Sequence, residues 1–124
     1  MPYRVGKERF DILVEEALQR LPNKYRRRFT NLRVVVEDLP SAEDADRAGV
    51  GRHELLGLFS GAPYTVQGGF FDIPVPFPNS IILYQKNIEA VCDSEARLVE
   101  EIRLTLVHEV GHYFGMSEEQ LEEY

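Results

Sequence analysis

The sequence predicts an α+β protein, with helices at its two ends and strands between them. Three observations carry this. Apolar residues recur at helical spacing from Phe10 to Leu21, and strand-forming runs occupy 31–37 and 80–88. A second helical stretch opens at Asp93-Ser94 and should continue to about Phe114.

The first element rests on Phe10, Leu13, Val14, Ala17, Leu18 and Leu21, which form one stripe on a 3.6-residue period. Asp11, Glu15, Glu16, Gln19 and Arg20 cover the other side, and Pro22-Asn23 ends the helix. The β-branched run in Asn31-Leu32-Arg33-Val34-Val35-Val36-Glu37 predicts the first strand. Residues 38–53 lose periodicity and read as an acidic loop with room for one helical turn. Leu55 to Gly61 reads as a short buried strand, with glycines where backbones can approach closely. In 64–78, Pro74, Pro76 and Pro78 cannot donate ladder hydrogen bonds, so an edge or extended arm is expected. Ser80 to Ile88 is apolar enough for a strand buried on both faces at one end.

At 124 residues a single domain over 1–124 is expected, able to hide roughly two-thirds of its unfolded surface. No apolar run approaches the eighteen or so residues that span a bilayer, and the N-terminal charges precede no apolar signal region. Cys92 is the one cysteine, so no internal disulfide can form and a cytoplasmic setting is the default. Residues 1–36 balance to +5 and residues 37–124 to −12. The cluster Lys24-Tyr25-Arg26-Arg27-Arg28 invites a nucleic-acid reading. A solvated turn after a helix explains it as well, and the overall acidity argues against a phosphate-binding surface. No nucleic-acid partner is expected.

The chemistry concentrates in His108-Glu109-Val110-Gly111-His112-Tyr113-Phe114-Gly115-Met116-Ser117-Glu118, of the form H-E-x-x-H-x-x-G-x-x-E. Residues four apart share a helix face, so His108 and His112 can present imidazoles to one Zn²⁺. Glu109, about a quarter-turn round, is placed to take a proton from water there. Val99, Ile102, Leu106, Val110 and Tyr113 fall on the opposite side, so the helix should be a wall between core and cleft. Gly115 offers a stop, and Glu118 beyond it leads as third ligand. Only twelve residues follow His112, which leaves no room for a ligand on a distant later helix. Glu119 is the nearest rival, Glu122 and Glu123 read as solvated, and His53 is the one histidine elsewhere. Tyr84, Tyr113 and Tyr124 are candidate oxyanion donors. Cys92 reads as a small buried residue and Met116 as packing beneath the histidines.

The chain resembles the small zincin-like metallopeptidases of bacteria, a minimal-zincin family. The resemblance lies in Phe10 to Leu21, Leu55 to Pro63, Ile81 to Gln85 and, above all, Val107 to Met116. It implies a compact fold in which a small twisted mixed sheet packs against an N-terminal helix and a long C-terminal active-site helix. By the same resemblance His108 and His112 are zinc ligands, Glu109 is the general base and Glu118 the acidic residue after the glycine.

The expected function is thus zinc-dependent peptide hydrolysis of a peptide or protein substrate. The alternative is a metal-binding interaction module without turnover. A metal-dependent RNA hydrolase, resting on Lys24 to Arg28, is the weakest of the three.

Overall fold

The structure, a computed structural model, describes residues 2–23, 32–60 and 79–113, with the side chains of 60, 79, 112 and 113 outside that description. Its elements in chain order are α1 (Lys7–Gln19), β1 (Leu32–Glu37), α2 (Ala42–Ala48), β2 (Gly57–Ser60), β3 (Asn79–Tyr84), α3 (Gln85–Ala90) and α4 (Glu95–Tyr113). The strands form a mixed sheet in the order β1-β3-β2. β1 runs parallel to β3, with Val34 opposite Ile81, and β2 runs antiparallel to it, with Phe59 opposite Ile81. The expected α+β architecture, a small mixed sheet with a helix near the N-terminus and a long one carrying the histidines, is the observed one.

The apolar stripes explain the assembly. Phe10, Leu13, Val14 and Ala17 of α1 are buried against α4, whose Leu98, Val99, Ile102, Leu106, Val107 and Val110 are buried in turn. Ile81 and Leu83, alternate residues on one face of β3, complete that core. Each of these side chains larger than alanine contributes roughly 1.5–3 kcal/mol on leaving water. The helix α4 therefore packs against both α1 and the sheet, and its buried side matches the face read from the sequence at Val99, Ile102, Leu106 and Val110. Ser94 caps it, accepting the Arg97 N–H at 3.1 Å. Arg9 of α1 pairs with Glu95 in the first turn of α4.

Two stretches depart from the sequence reading. The acidic loop contains the two-turn helix α2. Ser41 Oγ accepts the Asp44 N–H at 3.0 Å, and Gly49 ends the helix at φ 74°, in the left-handed region. End signals rather than periodicity specify it, since Ala45 is its one buried residue. The second departure is at Gln85, where the strand expected to reach Ile88 becomes α3. Gln85 and Glu89 stand one helical turn apart and are both buried. Gln85 Nε2 donates to the Val5 carbonyl at 3.1 Å, and Glu89 Oε2 accepts the Val5 N–H at 2.8 Å. In a strand these two side chains would share a face but stand about 13 Å apart, whereas the helix brings them within one turn, about 6 Å, so that both reach Val5. The Asn87 amide donates to the carbonyls of Arg52 and Leu55 at 2.9 and 2.8 Å, fastening the chain that leads into β2. The proline-rich arm expected in 64–78 lies outside the described residues.

Candidate active site

The site forms where α4 meets β2. The two approach unusually closely because Gly57 has no side chain. A Cβ on Gly57 would lie 2.6 Å from Thr105 Cγ2, 3.2 Å from the Ile82 carbonyl oxygen and 3.7 Å from Glu109 Cγ. Thr105 cannot readily swing aside, because it is buried and its hydroxyl donates to the Glu101 carbonyl at 2.8 Å. Thr105 and Glu109, one turn apart on α4, thus both rest on the backbone of Gly57.

This close approach brings Glu109 to the strand. Leu58 pairs with Ile82 in the antiparallel ladder, so the neighbouring Phe59 N–H points away from β3. It donates to Glu109 Oε2 at 3.1 Å. The carboxylate is held by a backbone donor at the edge of the described sheet, with its Cγ against Gly57. His108 and Glu109 are half-buried, and both line a cleft of about 370 Å³ together with Gly57 and Thr105. Further along α4, Glu101 faces the same cleft and pairs with Arg97 at 3.2 Å.

The residues expected from sequence fall into three groups. His108 and Glu109 meet in the cleft. His112 lies on α4 one turn beyond His108, but its side chain is outside the described residues, as are Glu118, Glu119, Glu122, Glu123, Tyr124 and Met116. Among the described residues no three His, Cys, Asp or Glu side chains converge on a metal position. His53 is exposed in the turn between α2 and β2. Cys92 is buried, and burial pushes its thiol up to about 11, in keeping with the inert residue expected. Tyr84 is fully buried, which removes it as an oxyanion donor. Its hydroxyl has no hydrogen-bond partner among the described residues, and burial, reinforced by Asp44, Glu37 and Glu109, pushes its pKa up to about 12. Sequence reasoning did not single out the Phe59 N–H as a partner of Glu109, nor the close approach of Thr105 to Gly57. The available signal was Gly57, noted only as a place where backbones approach.

An α+β chain whose long H-E-x-x-H helix sets His108 and Glu109 beside β2, at the edge of the described sheet, is zincin-like in class. Residues 29–124 match the family of zincin-like metallopeptidases, and the chain belongs to that family. No curated protein is detectably similar to it. Family membership suggests a zinc-dependent peptidase. No helix among the described residues is long and apolar enough to cross a membrane.

Proposed function

We propose that the protein is a zinc-dependent peptidase in which His108, His112 and Glu118 hold the metal and Glu109 is the general base. The hydrogen bond from the Phe59 N–H to Glu109 is the observation that carries the reading. It puts the one carboxylate of the H-E-x-x-H motif at the edge of the described sheet, beside which an extended peptide would lie. The donor chemistry of α4 fits zinc: the helix is unbroken from Glu95 to Tyr113, so its two histidines stand one turn apart. When bound, zinc supplies the Lewis acidity that polarises a scissile carbonyl and makes water a nucleophile at neutral pH.

The chain's own residues do the rest. Glu109 takes the proton of the attacking water and returns it to the leaving amine. The Phe59 N–H keeps that carboxylate in one orientation, and Gly57 keeps the distance short. The apolar wall of α4 behind His108 fixes the helix against the core. A protonated, buried Cys92 suits a reducing compartment such as the cytoplasm.

Glu109→Gln should leave zinc content unchanged and lower peptide cleavage by about 10²–10⁴-fold. Glu118→Ala, assayed alongside, should weaken zinc retention. Cleavage retained in Glu109→Gln removes the general-base assignment. If zinc-loaded wild-type protein cleaves nothing in a diverse peptide library, the metal-binding module without turnover takes its place.

A further inference from the structure

The cleft beside His108 and Glu109 has walls of two kinds. Val50, Leu55, Leu56 and Leu104 make it largely apolar, while Glu54 and Glu101 add carboxylates to its lining. Among the described residues no lysine or arginine lines it. At about 370 Å³ it is far too small for a folded partner. It stands at the low end of ligand pockets, which run roughly 300–1,000 Å³. A single long side chain of an extended peptide is the occupant that fits.

Its charge narrows the choice. Glu101 is largely buried and, among the described residues, is paired with Arg97, which is half-exposed and sits 3.2 Å away. Glu54 is exposed, and its carboxylate accepts the Gly51 N–H at a long 3.4 Å, so most of its capacity faces outward. A neutral apolar residue would cover these carboxylates and lose their hydration. An acidic one would meet like charge. A lysine or arginine lays its methylene stem on the leucines and brings its cation to the glutamates. We infer that this cleft selects a substrate residue with a long aliphatic stem and a cationic head, and that Glu54 and Glu101 set the preference. The −12 balance of residues 37–124 steers such peptides in the same direction. This inference rests on the peptidase reading of the same site, and it adds the substrate class.

The test compares peptides identical except for one residue, Lys, norleucine or Glu, with cleavage read as kcat/KM by the zinc-loaded protein. Binding of the same peptides to zinc-loaded Glu109→Gln is measured by fluorescence anisotropy. The Lys peptide should exceed the norleucine peptide by about five- to tenfold, since partly exposed ion pairs are modest, and the Glu peptide should be poorest. Glu54→Gln/Glu101→Gln should bring the Lys-to-norleucine ratio close to one. Arg97→Ala, which frees Glu101, should raise it, and Glu15→Gln on α1 should not move it. Equal handling of Lys and norleucine by the wild type, or a ratio unchanged in the double variant, overturns the inference. If nothing is cleaved but the Lys peptide still binds preferentially, the peptidase reading falls and the selective cleft stands. If neither cleavage nor preferential binding is seen, both fall.

Discussion

The helix α4 makes two contacts built on opposite principles. On its core side, towards α1, it buries a broad apolar surface in which Phe10, Leu13, Val14 and Ala17 join one cluster with six residues of α4. Against β2, where Phe59 also packs on the core, the end of the contact that holds Glu109 depends on one missing Cβ, one threonine methyl and one backbone hydrogen bond. The first should tolerate repacking, because area and volume matter more than any single shape. The second should not, because a shift of a few tenths of an ångström reaches the carboxylate directly. Stability and reactivity are therefore expected to separate between the two sides of one helix.

The largest effect on stability is expected on the α1 side. Leu13 is fully buried, and Leu13→Ala should cost about 2–5 kcal/mol, read by chemical denaturation. At a temperature where circular dichroism shows the variant folded, its kcat should stay close to wild type. A kcat that falls in step with stability would mean that the α1 contact sets the site geometry, and the distinction between the two contacts would be lost.

On the β2 side the order reverses. Gly57→Ala places a methyl 2.6 Å from Thr105 Cγ2, and neither the strand nor the pinned threonine yields cheaply. A stability cost of about 1–3 kcal/mol is expected, with a larger relative loss of kcat, on the order of tenfold or more. Thr105→Ser removes the obstructing methyl and keeps the hydroxyl that bonds Glu101. Gly57→Ala/Thr105→Ser should therefore recover most of both losses, leaving the tight 3.2 Å approach to the Ile82 carbonyl as a residue of strain. An additive double variant would show that the two residues do not act through this contact.

The two contacts also differ in how legible they were. The α1 side was readable because burial of a helix stripe follows from spacing alone, from Phe10 to Leu21 and from Val99 to Val110. The motif likewise announced His108 and Glu109. What spacing could not convey was the partner of Glu109, since Phe59 lies 50 residues away and contributes a backbone N–H, which every non-proline residue has. The burial of Thr105 depends on the absent Cβ at Gly57, which spacing along the helix does not show. The misreading at 85–88 has the same origin. Ile88 extends an apolar run, while the reason for a helix, the bonds from Gln85 and Glu89 to Val5, lies some 80 residues away. Local pattern recovers faces, whereas long-range polar contacts need the fold.

The smallest effect belongs to the far side of the sheet, where neither contact of α4 is touched. Tyr84 alternates with Leu83 on β3 and so points away from the core that Ile81 and Leu83 share with the helices. Its buried hydroxyl lacks a partner among the described residues. Tyr84→Phe should therefore be neutral to stabilising by about 1 kcal/mol at pH 7, because it removes a buried polar group that gains nothing. The sign of the pH dependence follows from the raised pKa. The folded state holds the phenol proton up to about pH 12, whereas an ordinary tyrosine releases it near 10. The unfolded chain thus binds fewer protons between these values, so the wild type keeps its full stability below about pH 10 and loses it progressively as the pH rises towards 12. Cys92, raised to about 11, begins a similar loss near pH 9. Denaturation midpoints measured from pH 7 to 11.5 should show the Phe variant pulling ahead of the wild type above pH 10, with the earlier cysteine loss common to both. Parallel curves would mean that the hydroxyl is solvated in the folded protein, and the far face of the sheet would then be as open to water as the cleft on the other.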